Sequence, residues 1–311
     1  MVADPSQRFL YVARRGECKI SSYRIGQQDG ELSLVGTVSL PTDPCYMSTD
    51  RSGRFLLSAY YEGRGVTVHP IGSDGAAGDP PVERLETARG AHCFQTDPSN
   101  RYAFVPHIAG RGPNEIWQFR FDAQTGHLTP NTIPKVTPDQ PVGPRHYCFH
   151  PSKDLAYFSN EQGCSVTVYR FDPASGTLSA LQTVSTLPSG YQGQNSCSQI
   201  RITASGKFLY APNRGHNSIA CFAVDATTGL LTSIGQAPSE QIPRVFNIDP
   251  DGRFLYAAGL ESGHLAAYRI EQDSGSLQPL RRYPLGRRRT ATVAGAPGTR
   301  PMWVLILTLG G

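Results

Sequence analysis

One eleven-residue phrase recurs six times along this chain, and nothing else in the sequence constrains its folding as strongly. "ADPSQRFLYVA" at 3–13 returns as "TDRSGRFLLSA" (49–59), "TDPSNRYAFVP" (96–106), "FHPSKDLAYFS" (149–159), "ITASGKFLYAP" (202–212) and "IDPDGRFLYAA" (248–258). Its anchor is Asp4, Asp50, Asp97, His150, Thr203 and Asp249, at intervals of 46, 47, 53, 53 and 46 residues. A fixed period of this length marks a supersecondary unit that buries its apolar face against copies of itself.

Each unit has the same grammar. A short apolar strand enters a D-P-x-G-R turn, where Pro presets the first corner and Gly supplies positive φ. A β-rich run such as "FLYAA" returns antiparallel, and a third strand alternates in period two ("ISSYRI", "VTVYRF", "IACFAV", "LAAYRI"). A polar turn ending in G-x-L leads to a weaker fourth strand. Helical periodicity of useful length is absent. Four antiparallel strands in about 47 residues is the signature of a β-propeller blade, and a sandwich or a β-helix does not explain it. The expectation is an all-β chain, one β-propeller domain over 1–311. Composition agrees: 39% hydrophobic, only 17% charged, with 32 Gly and 25 Pro.

In a propeller, the first strand lines the central channel and the second runs back beside it. The start of one and the end of the other therefore share a face. Five residues before each anchor stand Cys45, His92, Arg145, Ser198 and Arg244; eleven after it stand Arg15, Tyr61, Ile108, Glu161, Arg214 and Leu260. The adjacent column reads Arg14, Tyr60, His107, Asn160, Asn213 and Gly259. His92, Arg145, Glu161 and Arg244 are the candidate catalytic set. Two guanidiniums suit an anionic substrate and a polarised carbonyl, a carboxylate suits activation of water, and a histidine suits protonation of a leaving oxygen. Glu161 beside arginines is expected to have a lowered pKa and thus to be a weaker base. Arg214, Asn160, Asn213, His216 and Tyr60 are candidate substrate contacts. A polar mouth that binds water or a partner without chemistry is the competing reading. His146 and His150 read as structural, and His69 and His264 as ordinary surface residues.

No His/Cys/carboxylate set has metal-ligand spacing, and no phosphate or dinucleotide loop is present, so no metal and no cofactor are expected. The net charge of +4 is mild, and Arg287, Arg288 and Arg289 read as a solvated loop, so nucleic acid is not expected as a partner. No stretch approaches the ~20 apolar residues of a membrane span, and no signal pattern opens the chain. Seven cysteines without C-x-x-C spacing suit a reducing compartment, hence a cytoplasmic location. A monomer is favoured.

The phrases "GPRHYCFHP", "YFSNE", "FLYAPNRGHNSIACF", "IPRVFNIDPDGRFLYAAG" and "PMWVLIL" resemble the seven-bladed propeller lactonase family, over nearly the whole chain. The family includes bacterial propeller-type 6-phosphogluconolactonases and, as a relative, the fungal carboxymuconate lactonizing enzyme. The resemblance implies a metal-free lactonase that opens 6-phospho-D-glucono-1,5-lactone in the pentose phosphate pathway. It places His92 ("GAHCF"), Arg145 ("GPRHY"), Glu161 ("SNEQG") and Arg244 ("IPRVF") in the site, with Arg214 ("PNRGH") as a phosphate or carboxylate contact. A muconate-type cycloisomerase and a non-catalytic metabolite- or protein-binding propeller are the alternatives.

Two departures from that pattern stand out. Six anchors are visible where seven are expected, and the chain begins almost at one of them. The first strand of that unit and three strands of a preceding one are expected to be missing, an N-terminal blade truncated by a start placed too far downstream. "RRRTATVAGAPGTR" (287–300) reads as a loop insertion before a ring-closing strand at 301–307.

Overall fold

The recurring anchor is the corner of a tight hairpin, and one side chain serves several donors there. Asp97, fully buried, accepts the backbone N–H of Arg101 and of Tyr102 at Oδ1 (2.8 and 2.7 Å). Its Oδ2 accepts the Ser99 N–H (2.8 Å) and hydroxyl (2.5 Å). Asp50 repeats this arrangement, and Asp249 holds the N–H of Arg253 and of Phe254. Such a carboxylate offsets the loss of water by the turn's amides. His150 takes the same place with one ring nitrogen, Nδ1, accepting from Ser152 N–H (3.1 Å).

The computed structural model describes residues 1–285. The insertion expected at 287–300 and the closing strand expected at 301–307 lie outside them. Among the described residues there is no helix, and the strands form six four-stranded antiparallel sheets. In chain order they are β1 (Val2–Ala3), β2 (Phe9–Arg14), β3 (Lys19–Ile25), β4 (Leu32–Ser39); β5 (Tyr46–Thr49), β6 (Phe55–Tyr60), β7 (Gly65–Pro70), β8 (Glu83–Glu86); and β9 (Gln95–Thr96), β10 (Tyr102–His107), β11 (Glu115–Phe121), β12 (Leu128–Val136). Then follow β13 (Pro144–Phe149), β14 (Leu155–Asn160), β15 (Ser165–Asp172), β16 (Thr177–Ser185); β17 (Arg201–Ile202), β18 (Phe208–Asn213), β19 (Ser218–Val224), β20 (Leu231–Pro238); and β21 (Pro243–Ile248), β22 (Phe254–Gly259), β23 (His264–Ile270), β24 (Leu277–Pro284). Each sheet is a simple meander. The first sheet corrects one expectation: Val2 and Ala3 pair with Tyr11 and Leu10, so its innermost strand is present, with two residues like β9 and β17.

The described chain divides into two compact units. One holds Met1–Asp139 with the turn Asp172–Thr177, and the other holds Gln140–Phe171 with 178–285. In the first, Phe55, Leu57, Val66, Phe94, Val105 and Phe119 fill the space between sheets, and the Asn100 side chain links neighbouring hairpins by donating to Asp50 Oδ2 (2.8 Å). In the second, Leu155, Tyr157, Val168, Leu209, Ala220 and Phe222 do the same.

The tyrosine of the repeated phrase explains how successive sheets are spaced. Tyr157 donates its hydroxyl to Gly229 O (2.9 Å), and Tyr210 donates to Gly275 O (2.8 Å), each reaching the outer turn of the following sheet. Gly275 sits at φ +71°, and a Cβ there would meet Phe208 Cδ1 at 2.2 Å, so the G-x-L turn admits only glycine. Burial of these phenols, first of all, raises their pKa values well above the ordinary range.

Candidate functional site

The local event that builds the site is a slip in strand pairing. In the hairpin of β13 and β14, Pro144 pairs with Asn160 and His146 with Ser159, which leaves Arg145 without an opposing residue. The hairpin of β21 and β22 does the same: Pro243 pairs with Gly259 and Val245 with Ala258, leaving Arg244 as the extra residue. A bulge of this kind re-aims one side chain while the strand continues. Both residues stand five before the anchor in their repeats, so that position is the bulge in these two hairpins.

Arg145 turns towards the end of β14. Its Nε donates to Glu161 Oε2 (2.6 Å), and Glu161 Oε1 lies 3.2 Å from a terminal nitrogen of Arg214. Arg214 itself is fixed by donation to Cys197 O (2.7 Å), while its buried Nε has no hydrogen-bond partner among the described residues. Glu161 is anchored by its backbone, its N–H donating to Gly143 O (2.7 Å) and its carbonyl accepting from Cys197 N–H (3.1 Å). Arg145 is 2% exposed, Glu161 and Arg214 are partly exposed, and Arg244 is half-buried.

The electrostatics follow from this geometry. Burial alone would raise the Glu161 pKa, but Arg145 and Arg214 outweigh it and hold the carboxyl below its usual range. Arg145 is pulled down, first by burial and then by repulsion from Arg214 and Arg244, with Glu161 acting against both. Two guanidiniums on one carboxylate, with Arg244 near enough to repel Arg145, leave an excess of positive charge, suited to an anion.

His92 belongs to the other unit. It precedes β9, where pairing slips by one residue between the Ala91–His107 bridge and the Gln95–Phe104 pair. Its ring is buried and meets Tyr61 edge-on at 5.8 Å. The remaining candidates divide sharply. Asn160 is fully buried, and its amide donates to Ser165 and Thr167 hydroxyls (2.9 and 2.8 Å). Asn213 is fully buried between Thr186, Asn195 and Ser218. Tyr60 is buried, its hydroxyl 2.8 Å from that of Thr67. These three are buried and support strand ends. His216 is half-buried, with Nδ1 2.7 Å from Ser218 Oγ and its ring edge-on to Tyr191 at 4.8 Å.

His69 corrects an expectation. It is 1% exposed, on β7, because its ring fits under a turn where Nδ1 bonds Gly78 O (2.9 Å). His107 is likewise buried, against Thr87 and Trp117. Asn195 was not legible as a site residue: its amide bridges Cys164 and Asn213 from a loop outside the repeated phrase. Among the described residues, no three His, Cys, Asp or Glu side chains are grouped to hold a metal ion. Nor is any helix long and apolar enough to cross a membrane.

The model of a family described as "Lactonase, 7-bladed beta-propeller" matches residues 1–293. The chain belongs to that family. It is 40% identical over 309 residues to a 6-phosphogluconolactonase of Pectobacterium carotovorum, covering 99% of this chain and 88% of that one. The 6-phosphogluconolactonase of Serratia proteamaculans is 37% identical over 307 residues, covering 99% and 87%. Among solved structures, the periplasmic gluconolactonase PpgL of Pseudomonas aeruginosa superposes with a TM-score of 0.83 at 28% identity, over 92% of this chain and 85% of that one. The six meanders are blades of the propeller type that the family description names, and the chain is a lactonase-family enzyme.

Proposed function

We propose that this chain hydrolyses a sugar-acid lactone, 6-phospho-D-glucono-1,5-lactone, to 6-phosphogluconate. The observation that carries this reading is Glu161 held between Arg145 and Arg214, with Arg244 close enough to repel Arg145. Relatives named 6-phosphogluconolactonase support the choice of substrate.

Glu161 orients the attacking water and accepts its proton as the new C–O bond forms at the lactone carbonyl. Its depressed pKa makes it a modest base, so its fixed position contributes more than its basicity. Arg145, almost wholly buried, acts through Glu161 as a positioning residue. Arg244 and Arg214 bind the anionic group and stabilise the tetrahedral oxyanion, where one donor is worth roughly 10²–10³-fold. Collapse then breaks the ring C–O bond, and the leaving oxygen takes a proton. His92 keeps the role of that donor on its motif alone. No cofactor takes part, and the enzyme works as a cytoplasmic monomer; the seven free cysteines support a reducing compartment.

The test is coupled hydrolysis of fresh 6-phosphogluconolactone, corrected for spontaneous opening. Glu161→Gln, with its fold verified by near-ultraviolet circular dichroism, is expected to lose roughly 10²–10⁴-fold in kcat. Undiminished turnover in that variant would remove Glu161 from the mechanism, and no turnover by the wild type would remove the substrate.

A further inference from the structure

The turn that carries Glu161 also carries a group that hydrolysis leaves unused. Cys164, three residues on, adopts φ +47° and is half-buried. Its Sγ accepts from Asn195 Nδ2 (3.3 Å). The same Sγ lies 4.0 Å from Glu161 O, the oxygen that accepts from the N–H of the fully buried Cys197 (3.1 Å). Cys197 Sγ is 3.2 Å from Thr186 Oγ1 and 3.8 Å from Asn213 Oδ1, and that same oxygen accepts from Asn195 Nδ2 (2.9 Å) and Thr186 Oγ1 (2.8 Å). Three polar side chains, Thr186, Asn195 and Asn213, thus link two free thiols from separate loops.

The two sulfurs differ in the way a reactive pair requires. The neighbouring Cys197 and the Asn195 amide, together with the Arg214 charge, outweigh burial and hold the Cys164 thiol well below its ordinary range. Cys197 is pushed the other way, first by its neighbour Cys164 and then by burial. A partly exposed thiolate beside a protonated, buried partner is the arrangement of an attacking and a resolving cysteine.

We propose that Cys164 and Cys197 are an oxidation site, converted by a hydroperoxide into a disulfide that displaces Arg214 from Glu161. In the first step the Cys164 thiolate attacks one peroxide oxygen. The O–O bond breaks, hydroxide leaves and takes a proton from solvent, and Cys164 becomes a sulfenic acid. In the second, the Cys197 sulfur attacks Cys164, the S–O bond breaks, and the hydroxyl leaves as water with the Cys197 proton. Two thiols lose two electrons and two protons in all, and one hydrogen peroxide becomes two waters.

Displacement follows from the backbone. The Cys197 carbonyl is the acceptor that fixes Arg214, and the Cys197 N–H is bonded to the Glu161 carbonyl. Drawing the sulfurs to the ~2.05 Å of a disulfide moves both of these bonds. This second part rests on the hydrolytic reading of the site, whereas the first does not.

The experiment treats reduced full-length protein with stoichiometric hydrogen peroxide, alkylates it, and maps its peptides without reduction. Expected are a Cys164–Cys197 cross-link that dithiothreitol reverses, faster alkylation of Cys164 than of the other six cysteines at neutral pH, and a dimedone-trapped sulfenic acid at Cys164 in Cys197→Ala. Lactone hydrolysis by the oxidised wild type should fall roughly 10–100-fold, the scale of an ångström's misplacement, and recover on reduction. Cys164→Ser should turn over the lactone equally with and without peroxide treatment. Absence of the cross-link, or alkylation of Cys164 no faster than of Cys18, overturns the pair. A cross-link with unchanged turnover overturns its link to Glu161. A reduced protein that turns over no lactone tells against the hydrolytic reading, and the cross-link then still decides the pair.

Discussion

Arg145 Nε donates to Glu161 Oε2 across 2.6 Å from a position that strand pairing skips, so the shortest contact in the site is made by the residue the sheet leaves over. The guanidinium is buried, and its countercharge is shared with Arg214. Deleting the two charges should therefore have unequal effects. Glu161→Gln leaves a buried guanidinium beside two like charges and should cost about 3–5 kcal/mol of stability. Arg145→Met leaves Glu161 paired with Arg214 and partly hydrated, and should cost less. The double variant should recover part of the loss. Urea unfolding of the four proteins measures this, and strict additivity would mean that the pair is not coupled.

The pH dependence of turnover follows from the same pair. Glu161 has its carboxyl held below the ordinary range, so it protonates only as pH falls through that lowered value. kcat/KM should therefore persist at pH 5, above the ~4.3 of an ordinary glutamate. A histidine acting as base would already be lost there, because its charge changes near 6.5. An acid limb centred between pH 6 and 7, about where free histidine titrates, would move the basic role away from Glu161.

Stability should show a separate acid limb from His107. Burial above all pushes its pKa down to about 4. Between that value and the ordinary one the unfolded chain binds a proton that the folded chain does not, so stability is lost as pH falls from about 6.5 towards 4. The loss is on the order of 3 kcal/mol. His107→Gln should flatten the dependence of the urea midpoint on pH across that window, and an unchanged slope would assign it to other groups.

The sequence carries the blades and four members of the site because both are periodic. Counting back from the anchor finds the bulge residues Arg145 and Arg244, and counting forward finds Glu161 and Arg214, which meet Arg145 in one ion-paired group. Position in a column does not report depth. Asn160 and Asn213 stand beside Glu161 and Arg214 in sequence, yet strand alternation turns them inward, where their amides satisfy neighbouring hydroxyls. His69 escaped for the same reason, since a turn folds over it and only the fold places that turn. Cys164, Thr186, Asn195 and Cys197 converge from loops of unequal length, where the period gives no register.

The anchor aspartates allow the sharpest test of the blade itself. Asp97 accepts from three backbone amides and one hydroxyl, and the Tyr102 amide it serves is buried. Alanine leaves that amide without a side-chain partner, while the Ser99 and Arg101 amides can turn to water. One or two unsatisfied buried groups cost about 2–4 kcal/mol, so the urea midpoint of Asp97→Ala should fall markedly. Asp97→Asn keeps one oxygen for the Arg101 and Tyr102 amides and should fall about half as far. Asp251→Ala in the last repeat removes a carboxylate exposed to solvent, whose bond to Arg253 is a surface ion pair, and should change little. Equal loss in Asp97→Ala and Asp251→Ala would mean that the anchor contributes surface charge and not hydrogen bonds to the hairpin.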